Sequence, residues 1–150
     1  MKTFKDSNGK EWQVRLDIAT VKRVRDYLDV DLLEPENGKP PLLTKLGTDV
    51  ILLCDVIYCI VKPQADEAGI TDEQFGAVLD GDAILNAQKA FYEELIDFFR
   101  RCGRTDQATA IQKLMQVMQE SIEKAEKAIQ EIDLDSLEAS GNSATNLPES

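Results

Sequence analysis

The sequence predicts an α+β fold, predominantly α-helical, in which an N-terminal β-hairpin packs on a compact helical domain with a long C-terminal helix. Three observations carry this expectation. Residues 11–18, EWQVRLDI, alternate apolar and polar side chains just after an Asn8-Gly9 pair, the pattern of a half-buried strand leaving a hairpin turn. Residues 50–61, VILLCDVIYCIV, are the most apolar run in the chain and read as a core helix. Residues 108–132 carry apolar side chains at Ala108, Ile111, Met115, Met118, Ile122, Ala125, Ile129 and Ile132, in alternating steps of three and four without a skip, which is a heptad seam on a helix.

Taken in order, Phe4 marks a first strand and the hairpin spans about residues 2–18. Trp12, Val14, Leu16 and Ile18 then share one face, and helices must cover it because two strands alone are marginal. Asp17 or Thr20 can cap the next helix, whose stripe is Val21, Val24 and Leu28. Residues 29–41, DVDLLEPENGKPP, carry turn chemistry and are expected to form a mobile loop. A short helical segment near Leu42–Leu46 leads to the core helix, capped by Thr48 or Asp49 and ended or kinked near Lys62 by Pro63. Thr71 and Gln74 have capping-box spacing and open a short helix to about Leu79. Asp82 caps a longer helix with Ile84, Ala87, Phe91, Leu95, Phe98 and Cys102 on a broad face, widened by Tyr92, Ile96 and Phe99. Gly103 closes it, and Thr105 or Asp106 opens the last helix. Residues 1–132 thus read as one globular domain, with helices over about 19–132. Residues 133–150 turn acidic, small and Ser/Asn-rich and are expected to be a disordered tail.

Composition bounds the function. A chain of 150 residues is long enough for one real core. Its net charge of −11 is unevenly spread: residues 1–27 hold seven Lys/Arg against four Asp/Glu, and the remaining 123 hold ten against twenty-four. Nucleic-acid binding needs positive charge to displace counterions, so the acidic body argues against it. Only the run Lys22-Arg23-Val24-Arg25 offers a phosphate contact; otherwise it is a solvated helix face. The polar N-terminus from Lys2 to Arg15 contains no secretory apolar segment. The 12 residues of the core run, with Asp55 inside, fall short of the roughly 20 a membrane span needs. Three cysteines without CxxC spacing read as reduced thiols in a cytoplasm.

Catalytic constellations are missing from the sequence. With no histidine there is no His-based triad, imidazole base or imidazole ligand. Cys54 and Cys59 lie about 140° apart around a helix and do not share a metal easily. No glycine-rich loop precedes a Lys-Ser/Thr pair, and Asp80-Gly81-Asp82 lacks the later ligands of a calcium loop. Glu93, Glu94 and Asp97 read as a solvated acidic face. Asp55 reads as a boundary residue or the partner of Arg23 or Arg25. The expectation is a protein that is not an enzyme and takes no cofactor or metal.

Function then rests on surfaces, and the seam is the candidate. Leu114 and Val117 flank its first half, a width suited to packing on a domain core, such as an antiparallel pairing with the helix over 82–102. The second half narrows to Ile122, Ala125, Ile129 and Ile132, bordered by Glu120–Lys124 and Glu123–Lys127 at i,i+4 spacing. The last helix outruns its predecessor, so its final turns overhang and offer the narrow stripe to a client helix or to a second copy of the chain. Met115 and Met118 add adaptable side chains. The candidate partner-binding residues are therefore Met115, Met118, Ile122, Ala125, Ile129 and Ile132.

Three strings, IATVKRVRDYLDVDLL, LLCDVIYCIVKPQADEAGITDEQFGAVLDGDAI and EELIDFF, resemble the tail assembly chaperones of long-tailed phages and prophage-like elements. The likeness spans roughly residues 3–99, followed by a similar charged helix and a small polar tail. It implies an acidic, mostly helical protein of the host cytoplasm that binds the tape measure protein, keeps its long helices soluble, helps recruit tail tube subunits during tail morphogenesis and is absent from the mature virion. In several such systems a programmed frameshift appends a second domain, and SGNSATNLPES would suit the linker. The resemblance supplies no functional residue by position. A helical regulatory or adaptor module, contacting nucleic acid through Lys22–Arg25, is the alternative expectation.

Overall fold

The computed structural model describes the backbone of residues 2–146 and the side chains of residues 2–132. Two strands, β1 (Lys2–Lys5) and β2 (Glu11–Val14), precede six helices: α1 (Ile18–Leu28), α2 (Leu42–Thr48), α3 (Val50–Ala68), α4 (Asp72–Val78), α5 (Asp82–Arg101) and α6 (Thr105–Asn146). Residues 1–112 form one compact unit and residues 113–150 a second. The fold is α+β and predominantly helical, as the sequence predicts.

The hairpin is antiparallel, with Phe4 opposite Trp12 and Lys2 opposite Val14. Its turn is built by Asp6, whose Oδ1 accepts from the backbone N–H of Asn8 (2.9 Å) and Lys10 (3.0 Å), while Gly9 takes a left-handed φ of 82°. The other oxygen of Asp6 accepts the indole N–H of Trp12 at 2.9 Å, which satisfies the polar end of a fully buried ring. The Trp12 ring meets Phe75 edge-on, centroids 5.0 Å apart. Helices α3 and α5 cover the sheet's apolar face.

Period-2 reasoning holds through Leu16 and then fails. Trp12, Val14 and Leu16 are buried, but β2 ends at Val14, and Ile18 is the exposed first residue of α1. Asp17 interrupts the strand because its Oδ1 accepts from the Thr20 N–H (2.8 Å) and hydroxyl (2.9 Å), capping α1; Thr20 is buried inside the helix. Asp49 caps α3 through the N–H of Leu52 at 3.1 Å. The capping box forms in both directions: Gln74 N–H to Thr71 Oγ1 (3.2 Å) and Thr71 N–H to Gln74 Oε1 (2.9 Å). At α5, Gly81 rather than Asp82 holds the N-cap position, without a side-chain cap.

Three further expectations are corrected. Pro63 neither ends nor breaks α3, which continues to Ala68. The missing N–H at Pro63 frees the Cys59 carbonyl, and Arg23 Nη1 donates to it at 3.1 Å and to the Ile60 carbonyl at 3.3 Å. Residues 29–41 lack regular structure yet are tied down: Val30 and Leu32 are buried, and Arg104 donates to the Leu33 carbonyl at 2.8 Å. Glu94 is not part of a solvated face. It is fully buried and accepts from the Leu16 N–H (2.7 Å) and from Arg101 Nη2 (3.4 Å), while Arg101 also donates to the Leu16 carbonyl (3.0 Å). A buried carboxylate requires such partners, and this one joins the end of the hairpin to α5. Its neighbour Asp97 does face water, pairing with Lys2 at 3.4 Å.

Helix α6 is continuous in backbone through Asn146, past the boundary that the sequence sets at residue 132. The tail expected over 133–150 lies outside the residues whose side chains are described.

Candidate interaction surfaces

The seam begins inside the first unit. Ala108 and Ile111 are fully buried there, anchoring the start of α6, and Gln107 reaches the Leu33 carbonyl and the Glu36 carboxylate beside them. Along the second unit the same stripe opens to solvent. Met115, Met118 and Ile122 are partly buried, Ala125 is exposed, and Ile129 and Ile132 stand 58% and 62% exposed. Val117, off the seam, is exposed as well. Large β-branched apolar side chains thus stand in water at heptad spacing on this part of α6.

The charged border differs in detail from the expected one. Gln119 donates to Glu123 Oε1 at 3.2 Å. Glu120–Lys124 and Glu123–Lys127 keep their i,i+4 spacing, but among the described residues no ion pair closes between them. Exposed pairs at such spacing contribute little to stability in any case.

The basic run of α1 is divided by the fold. Val24 is buried and Arg23 is committed to the Cys59 and Ile60 carbonyls, leaving Lys22 and Arg25 in solvent. The two are three positions apart and so neighbours on one helix face, and two cations alone make a weak phosphate contact. Arg23 does not pair with Asp55 either. Asp55 is partly buried on α3, and desolvation holds its carboxyl above the ordinary carboxylate range, with Asp72 and Asp49 adding repulsion.

The thiols are separate. Burial, with Asp55 and Asp72 nearby, pushes Cys54 up to about 11; burial also raises Cys59, opposed by Arg23 and Lys62. Cys102 is exposed rather than on the covered face of α5. Among the described residues no group of three or more His, Cys, Asp or Glu could hold a metal ion, and no helix is long and apolar enough to cross a membrane. None of the family models, curated proteins or solved structures compared with the chain matches it.

Proposed function

We propose that this protein is a tail assembly chaperone of a long-tailed phage or prophage-like element, a binding protein without catalytic activity. It holds the tape measure protein by its helices and helps recruit tail tube subunits, acting in the host cytoplasm and leaving before the virion is complete. The observation that carries this reading is the exposed half of α6, with Ile129 and Ile132 in water at heptad spacing. The resemblance over residues 3–99 points the same way. A net charge of −11 suits a holding protein, because it keeps a complex with an aggregation-prone client soluble. An apolar stripe on a helix meets a client helix by laying anchors at i, i+3, i+4 and i+7 into its groove.

Gene order gives the experiment. In the resembling systems a very long helical reading frame lies just downstream. Co-expression with a helical fragment of that product should bring the fragment into the soluble fraction and retain it on a tagged chaperone. A fragment equally soluble without the chaperone, or never retained by it, contradicts the reading. Binding of duplex DNA at about 150 mM salt, lost when Lys22 and Arg25 are replaced by Glu, favours the regulatory alternative.

A further inference from the structure

A second surface, wholly within residues 1–112, is independent of the α6 reading. A groove of about 310 Å³ opens where the first turns of α3, one side of α4 and the start of α5 converge. Val50 and Ile51 are 60% and 76% exposed at its edge, and Leu79 and Ile84 continue the apolar floor. Asp55 and Asp72 line it too, and no Lys or Arg does. We propose that this groove docks a cationic, apolar segment of another protein, with apolar side chains against Ile51, Leu79 and Ile84 and a Lys or Arg against Asp55 and Asp72.

Two observations fix the character of the occupant. The first is charge: two carboxylates beside an apolar floor repel one another until a cation lies between them, and Asp55 already feels Asp72 and Asp49. Most of a second copy of this chain is a poor match: beyond residue 27 it holds twenty-four acidic residues against ten basic ones. The second is Gly76, which lines the groove from within α4. Its φ is not left-handed, and a Cβ built on it would meet nothing within 4 Å. The fold itself therefore gains nothing from glycine there, and glycine weakens a helix relative to alanine. What a bare backbone provides at that point is room for something outside the chain to approach closely. The groove is small for a cofactor and suits a few side chains.

Fluorescence anisotropy with a labelled synthetic amphipathic peptide of Leu and Lys at helical spacing tests this, beside a Leu/Glu peptide of the same pattern. The full chain should bind the Leu/Lys peptide and ignore the Leu/Glu one. Asp55→Asn/Asp72→Asn should weaken binding about tenfold, whereas Glu67→Gln/Glu126→Gln, removing equal charge elsewhere, should change it less than about twofold. Ile51→Ser, at an exposed site, should weaken binding with an unchanged melting temperature. Gly76→Ala should raise the melting temperature and still weaken binding. Equal losses in the two charge variants, unchanged binding by Gly76→Ala or Ile51→Ser, or no binding of the Leu/Lys peptide would overturn the proposal.

Discussion

Arg23 supplies to Cys59 the hydrogen bond that Pro63 withholds. The guanidinium on α1 donates to the carbonyl at 3.1 Å, four residues before the proline, and α3 runs on to Ala68. This contact joins two helices and repairs one of them. Arg23→Ala should leave a partly buried carbonyl without its donor and cost about 1–3 kcal/mol, a fall in Tm of roughly 2–10 °C. Pro63→Ala restores the backbone donor, so the double variant should lose less than Arg23→Ala alone. Strictly additive losses in thermal melting would show that the two residues are not linked.

Glu94 closes the other end of the hairpin. Glu94→Ala strands the buried Leu16 N–H and removes one acceptor from the half-exposed Arg101, and should cost about 1–3 kcal/mol, as for a buried donor left unsatisfied. Glu94→Gln keeps an acceptor and should cost less. Denaturant melts of the two variants check the order; equal losses would mean that side-chain volume, not hydrogen bonding, matters there.

The two perturbed aspartates predict opposite pH effects. The Asp17 carboxyl is held below its ordinary value by the Thr20 N–H first and the Thr20 hydroxyl second. Its contribution is present above 3.8 and is lost as pH falls through the lowered folded value. Asp17→Ala should therefore cost about 1 kcal/mol at neutral pH, and the deficit should fade in acid. Asp55 is raised, by desolvation first, so its charged form is a burden in the folded state. Asp55→Asn should raise Tm at pH 7, with the gain disappearing as pH falls through the raised value towards 3.8. Melting both variants across pH 3–7 reads the two signs directly; trends of the same sign in both would contradict this account.

The thiols rank by exposure and charge. Cys102 is exposed, Cys54 is raised to about 11 and Cys59 is buried. Only about 0.1% of a thiol with a pKa near 11 is thiolate at pH 8. Iodoacetamide at that pH should label Cys102 first, Cys54 slowly and Cys59 only on unfolding, as mass mapping of the alkylated peptides would show. Labelling of Cys59 at the rate of Cys102 would mean that α3 opens readily.

Local signals were legible and distant ones were not. The caps at Asp17, Asp49 and Thr71, the Asn8-Gly9 turn and the alternation of Trp12, Val14 and Leu16 are all decided within a few residues, and each is read from spacing. That α3 runs on past Pro63 is not legible locally, because the donor that replaces the missing N–H comes from Arg23, forty positions earlier. Glu94 was misread because its charge fits a helix surface, and only tertiary packing brings it to Leu16 and Arg101. The seam of α6 is legible as a period, but a period does not tell which of its members are buried, as Ala108 and Ile111 are, and which are exposed, as Ile129 and Ile132 are. The groove at Val50 and Ile51 is hard to read for a related reason: among the eleven apolar residues of that run the single Asp55 is too little polar face to show which side stays open. A further sequence signal is Gly76, a glycine in a short helix without a turn to explain it.

The central claim, that the exposed half of α6 grips a partner, is tested most directly by Ile129→Asp. At a 58% exposed position the new carboxylate stays hydrated, so the domain should melt within a few degrees of the native chain. Retention of a co-expressed tape measure fragment should nevertheless be lost. A normal melt with lost co-purification is the predicted result. A normal melt with full co-purification, or a collapsed melting temperature showing that the stripe is needed within the fold, would contradict it.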